Sequence, residues 1–390
     1  MAMRIRAAQG EYVQGGLYPN PVVGYVGEEM GDEGRAGQQG AFLSQEFVTG
    51  GKLALNRAVA SHEIQRAQYA WHAQRQRVLN DVRSGYCEAL AAQRAVTLNE
   101  QLVQIGQEGV KVAEQLLGAK EVGRPDVLQA QIELESARVT LGTAKNRAAG
   151  AWRRLVAVVG VPNLQPAPLA GGLEDCLSEL TWEATLTRLL VESPELGEAR
   201  AAVERARCMV ARQCAERSPN VTVESSIQHD NATDDTIASV QVGLPLPIFN
   251  RNQGNIARAQ AQLVAAEREV RRVELQLHNR LAAVFEQYAN ARMRAEKYKG
   301  ELLPKAKESL ELTRKAYQQG EFGFLNLLTA QRTYFRVNLA YLDSLRELCT
   351  SNVAIEGLLL SGGLQTEAEP YRPDLPERPT AQMDPVPITP

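Results

Sequence analysis

From Val127 onward, Val127, Leu134, Leu141, Ala148 and Leu155 recur every seventh residue, and Ala130, Ala137, Ala144, Ala151 and Val158 follow each of them by three. This is an a/d seam of more than four heptads, and a strict seven-residue period predicts a left-handed supercoil. Small residues at every d position but the last predict that the neighbouring helix approaches closely. A second seam keeps the same register 200 residues later, with Leu327, Tyr334, Tyr341, Leu348 and Ile355 at a and Ala330, Val337, Ser344, Ser351 and Leu358 at d. Ahead of the first seam, residues 52–124 contain no proline and are dominated by Ala, Leu, Gln, Glu, Arg and Val. Such a run predicts a helix far longer than the usual 11 to 12 residues. The expected long helices cover about 52–120 and 125–159, then about 252–319 and 325–360, each pair a helical hairpin.

Elsewhere the period changes to two. Val221-Thr222-Val223-Glu224 and Ser239-Val240-Gln241-Val242-Gly243-Leu244 alternate apolar and polar around the polar loop His229 to Asp235, which predicts a β-hairpin. Pro21 to Glu28 and Gly40 to Val48, separated by the Gly-rich stretch Gly31 to Gly37, predict another. Strands are expected at about 19–28, 40–48, 219–229 and 236–246, with a further pair of helices over about 180–217. The fold class is mainly α with a small β part.

The two hairpins belong to an internal repeat. Glu121, Gly123, Val127, Leu128, Ala130 and Gln131 recur as Glu321, Gly323, Leu327, Leu328, Ala330 and Gln331 at a constant offset of 200. This predicts a first repeat over 1–173, a second over 174–362, and a tail over 363–390 that carries seven of the 18 prolines and is expected to be disordered. Only Met1 to Gly16 answers the helices of 180–217, so roughly twenty residues or more of the first repeat are expected to be missing. Met1 to Gly10 lacks the apolar core of a secretory signal, and such a signal is expected to have been lost with that segment.

Composition narrows the function. Net charge is -3, which offers no basic surface for nucleic acid. No stretch reaches the roughly 18 to 20 consecutive apolar residues of a membrane-spanning helix. The five cysteines and four histidines are scattered, without ligand spacing or a neighbouring acid–base pair. No metal, cofactor or catalytic residue is therefore expected, and the cysteines read as separate small thiols.

Geometry narrows it further. Four strands with one apolar face cannot close on themselves, because small barrels need about eight. Left open, the sheet would expose its edges and its apolar face. Three copies would supply twelve strands, enough to close a barrel in an outer membrane with every backbone group satisfied. The alternative is a structural coiled-coil protein that uses its strands for self-assembly in a soluble compartment.

Gly320-Glu321-Phe322-Gly323-Phe324-Leu325-Asn326-Leu327-Leu328-Thr329-Ala330-Gln331 resembles the outer-membrane efflux proteins, the TolC-like outer-membrane factors, as do its counterpart Lys120 to Gln131, the entry Leu17 to Pro21 and the exit Leu244 to Arg251. The resemblance implies a homotrimeric exit duct: a 12-stranded β-barrel in the outer membrane of a Gram-negative-type bacterium, continued by an α-helical barrel across the periplasm. It also implies a periplasmic adaptor (membrane fusion) protein and an inner-membrane pump of the RND or ABC type as partners, and no chemistry of its own. By the same resemblance, Asp126, Asn326 and Thr329 stand where the family rings its periplasmic gate, and only Asp126 keeps a carboxylate. Asp126 also reads as a helix N-terminal acid following Pro125. Glu121, Gly123, Gly320, Glu321 and Gly323 are the candidate tip turns on which the adaptor docks, the glycines supplying the positive φ that ends a helix. Arg124, Arg314 and Lys315, near the tips, are candidates for ion pairs between helices. Tyr18, Tyr25, Phe42, Phe47 and Phe249 are candidates for an aromatic girdle against outer-membrane lipid.

Overall fold

The computed structural model describes residues 1–30, 37–176, 179–319 and 321–364, the side chain of Cys176 excepted. Most of the Gly-rich loop, Gly320 and the proline-rich tail from residue 365 lie outside the described residues. The elements run α1 (Ala2–Gly15), β1 (Val22–Glu28), β2 (Gln38–Phe47), α2 (Lys52–Gly118), α3 (Arg124–Val159), α4 (Trp182–Glu192), α5 (Pro194–Ala215), β3 (Val221–Asp230), β4 (Asp235–Gly243), α6 (Gln253–Lys297), α7 (Leu303–Gln318) and α8 (Phe324–Glu356). β1 starts at Val22 rather than near residue 19 because Pro19 and Pro21 lack the N–H that a ladder needs.

α2 has 67 residues, about 100 Å at 1.5 Å per residue. It is straddled by α3 on one stretch and by α1, α5 and α8 on others. The a/d seams are among what these helices bury: Val127, Ala130, Leu134, Ala137, Ala151 and Leu155 of α3, and Leu327, Ser344, Leu348, Ser351 and Ile355 of α8, which also buries a second stripe with Leu328, Phe335, Leu342, Leu345 and Cys349. Lone helices of this length would fray; the apolar stripe packed on a partner holds them.

The second long helix differs from the first. Sequence places Pro304 in its path, and the chain meets it with a π-helical turn, Tyr298–Leu302, before α7 resumes with the proline in its first turn. The wider turn re-registers the ladder around the missing N–H, so the helix carries on. α2 has no such interruption.

The main core lies midway along the helices. Leu173, Leu189, Leu196, Leu277, Leu281, Tyr288 and Leu348 are almost fully buried there. Trp182 meets Phe285 edge-on, and the Tyr288 hydroxyl accepts from the Leu180 N–H at 3.0 Å. The linker after α3 straps this region: Tyr86, Gln93 and Arg94 of α2 donate to the carbonyls of Ala170, Ala167 and Gly171. Glu174 then takes Lys299 of the π turn at 3.1 Å and Tyr341 of α8 at 2.9 Å.

One cysteine expectation is corrected. Cys87 of α2 and Cys349 of α8 form a disulfide across 262 residues, with Cα atoms 6.4 Å apart. Sequence spacing could not show it, because the two meet only when the repeats pack. Cys208 and Cys214 are free.

Candidate conduit, barrel wall and helical tip

The strands form one antiparallel sheet in the order β1-β2-β3-β4, and β2 pairing with β3 joins the two repeats. Its register sorts the side chains. Val23, Leu43, Ser225 and Val240 make one row, and Tyr25, Ala41, Ile227 and Ala238 the next. Val22, Ser44, Glu224 and Gln241, then Glu28, Gln38, Asp230 and Asp235, make rows on the opposite face. The first face is apolar and open: Val23 and Val240 are 74% exposed, and Tyr25, Ile227 and Val242 65%. The polar face is the more enclosed of the two. A water-soluble sheet does the reverse.

The sheet is fixed to the helices by a polar node. Asn220 accepts from the Lys52 ammonium at 2.6 Å and donates to Glu46 at 2.6 Å. Thr49 donates to the Pro219 carbonyl at 2.6 Å, and Lys52, almost fully buried, also pairs with Glu216 at 3.4 Å. Gly50 and Gly51 turn the chain here at φ 66° and 67°, where a side chain would be strained.

Of the aromatic candidates, Tyr18, Phe47 and the 91% exposed Phe249 lie on or beside the helix end of the sheet, and Tyr25 lies midway on the apolar face. Phe42 is on the polar face, its ring covering Gly24.

At the far end of the hairpins, the first turn reverses through Lys120, not through a glycine: Lys120 has φ 59°, and the Glu121 N–H closes on the Leu116 carbonyl at 2.9 Å. Gly123 is extended and forms the N-cap of α3, so its role is not the positive φ expected of it. The Gly123 N–H donates to Asp126 at 3.0 Å, which gives Asp126 its helix-end role. In the second tip the Glu321 N–H meets the Ala316 carbonyl at 2.9 Å, Gly323 caps α8 in the extended region, and Asn326 follows three residues on. Asp126, Asn326 and Thr329 are all exposed in the opening turns of α3 and α8. The hairpins are joined just behind them by Arg332, whose Nε donates to Glu133 at 2.7 Å while Gln129 donates to the same carboxylate at 3.1 Å. Arg147 and Asp343 add a looser link at 3.8 Å. Sequence reasoning pointed to Arg124, Arg314 and Lys315 for such links and missed these, since the facing of α3 and α8 is set by packing.

A model of the outer membrane efflux protein family matches residues 1–161 and 185–359. The chain belongs to that family. As an outer membrane efflux protein it is a channel of the Gram-negative outer membrane, and its own fold is mainly helical with one four-stranded sheet. It is 27% identical over 364 residues to the cobalt-zinc-cadmium resistance protein CzcC of Cupriavidus metallidurans, covering 92% of this chain and 85% of that one. It is 24% identical over 266 residues to the cation efflux system protein CusC of Escherichia coli K12, covering 64% of this chain and 54% of CusC. The solved outer membrane protein VceC of Vibrio cholerae superposes with a TM-score of 0.72 at 18% identity, over 92% of each chain. Among the described residues, no group of three or more His, Cys, Asp and Glu side chains is placed to hold a metal ion.

Proposed function

We propose that three copies of this chain form the exit duct of a tripartite efflux system: their sheets close a twelve-stranded barrel and their helices continue it as a tube across the periplasm. The observation that carries this reading is the sheet with its apolar face outward and polar face enclosed. One copy exposes the β1 and β4 edges, and closing with neighbours satisfies both in lipid. The repeat boundaries at 173 and 362 organise each copy as two similar hairpins. A periplasmic adaptor docks on the tips around Glu121, Gly123, Gly320, Glu321 and Gly323, and an RND-type or ABC-type pump supplies the energy. Asp126, with Asn326 and Thr329, lines the tip opening. Tyr18, Phe47 and Phe249 anchor the wall at the lipid boundary, and Tyr25 faces lipid between the two boundaries.

The cargo we assign is metal cations, supported by the names of the relatives CzcC and CusC. The test is purification from outer membranes in detergent, followed by planar-bilayer recording and deletion of the gene in its host. Trimers that conduct, and a deletion strain hypersensitive to cobalt, zinc or cadmium, are expected. A monomer in the soluble fraction would overturn the duct, and unchanged metal tolerance with a conducting trimer would overturn the cargo. Asp126→Asn is expected to weaken cation block; an unchanged block excludes Asp126 from the gate.

A further inference from the structure

After α8 the chain crosses α2 without regular structure of its own, and side chains of α2 satisfy its backbone. Asn80, almost fully buried, donates to the Gly357 and Leu360 carbonyls at 2.8 and 2.7 Å. Asp81 accepts the Gly362 and Gly363 N–H groups at 3.0 and 2.6 Å, and Gln74 donates to the Gly363 carbonyl at 2.6 Å. Gly363 lies so near α2 that a Cβ there would stand 3.0 Å from the Val78 backbone nitrogen. The path therefore runs backward along α2, from Asn80 to Gln74. It leads to a cleft of about 580 Å³ lined by the same Gln74 and Val78, by Trp71, Arg75 and Leu79 of α2, and by Arg4 of α1. Trp71, Arg75 and Leu79 follow one another at four-residue spacing, so they share one face of the helix. Arg75 lies over the Trp71 ring at 5.8 Å, and Leu79 is 41% exposed. No acidic side chain lines this cleft among the described residues.

We propose that this cleft is the seat of the chain's own proline-rich segment, residues 365–379. The segment lies outside the described residues, and its sequence suits the cleft in period, charge and reach. Pro370, Pro373, Pro376 and Pro379 recur at every third position, the period of a polyproline II helix. Aromatic-lined grooves bind that helix well because little entropy is lost in ordering it. Three residues per turn set the prolines on one edge and Tyr371, Asp374 and Glu377 on the next, so proline rings against Trp71 and Leu79 bring carboxylates towards Arg75 and Arg4. Residues 365–379 carry Glu367, Glu369, Asp374 and Glu377 against Arg372 and Arg378, an excess of two negative charges, and the cleft supplies the opposite sign. Seven residues from Gly363 to Pro370 span up to about 24 Å, whereas Trp71 and Val78 are about 10 Å apart along α2. Tethering beside the cleft raises the local concentration of the segment to the order of mM, so a weak contact is enough to hold it. Seated there, it covers an apolar strip of α2 between the sheet and the main core. Docking within one chain does not depend on the duct.

The experiment uses the full chain purified in detergent, with the photoreactive residue p-benzoylphenylalanine in place of Tyr371. Irradiation followed by mass spectrometry is expected to join the segment to residues 71–79 of α2, or to the start of α1, in the same chain. Trp71→Ala and, separately, Arg75→Glu should each lower the cross-link yield by about fivefold or more, as loss of an anchor residue does. Asp374→Lys together with Glu377→Lys should restore the yield that Arg75→Glu removes. Arg75 is exposed, so if Trp71→Ala does not fold, the charge reversal and its rescue still decide the matter. Cross-links to another part of the chain, no cross-link, or a yield indifferent to the substitutions overturns the docking. A cross-link to a second copy, seen as a covalent dimer on a denaturing gel, overturns docking within one chain.

Discussion

At the residue scale, Glu174 has the best-defined electrostatics. Hydrogen bonds from Lys299 and then Tyr341 hold its carboxyl below the usual range, and burial together with the Glu174 contact pushes the Tyr341 phenol up to about 12, so Tyr341 stays a neutral donor. A carboxyl depressed in the folded state adds stability above its unfolded value of 4.5, and that stability is lost as pH falls through the lower folded value. Glu174→Gln is therefore expected to lower the unfolding free energy at pH 7 by the small amount an exposed cluster supplies, about 1 kcal/mol or less, read as a slightly lower melting temperature. The difference from wild type should shrink as pH falls from 4.5 through the lower folded value. A difference independent of pH would show that packing, not charge, is lost. Asp126 divides in a related way: its place as an acid at a helix N-terminus was legible after Pro125, whereas its bond from the Gly123 N–H came from the structure and its part in a gate depends on copies of the chain that meet it.

At the element scale, the small d residues of the α3 seam decide how near α3 lies to α2. Ala130 is 2% exposed, packed with Ala113 and Val127. Ala130→Leu inserts three carbons where no space exists and is expected to cost about 1 to 3 kcal/mol, measured by thermal unfolding of the purified protein. Val139→Leu, at an exposed position on the same helix, should be nearly neutral. Heptad spacing made the seams readable because a period of seven has few causes. The π turn was not readable: proline announces that a hydrogen bond is lost, not which wider turn repairs it. The disulfide between Cys87 and Cys349 was hidden for a different reason, since 262 residues separate its ends.

At the scale of the whole molecule, the two-faced sheet predicts an asymmetry between substitutions. Ile227→Lys puts a charge on the exposed apolar face, and in a barrel wall it is expected to cost about 2 to 4 kcal/mol near the bilayer midplane. Gln241→Lys, on the polar face, should assemble normally. The check is the heat-resistant trimer band from outer-membrane fractions: loss for the first and retention for the second. Equal behaviour would mean that neither face meets lipid. Strand alternation along the chain separates two sets of positions within each strand, yet it does not say which sets share a face or place Phe42, which sits on the polar face over Gly24, because phase along one strand is blind to the neighbouring strand's register.

The sequence by itself determined the periodic features: seven-residue seams, alternating strands, a 200-residue repeat and the family motif at the tips. Each is local or self-similar, so reading along the chain suffices. The tertiary structure alone decided which acids share a face, which cysteines meet, that Glu133 and Arg332 join the hairpins, and that Lys120 turns the first tip. Those depend on register and on how one helix is rotated against another, quantities settled by the summed packing of many side chains and encoded in no single stretch.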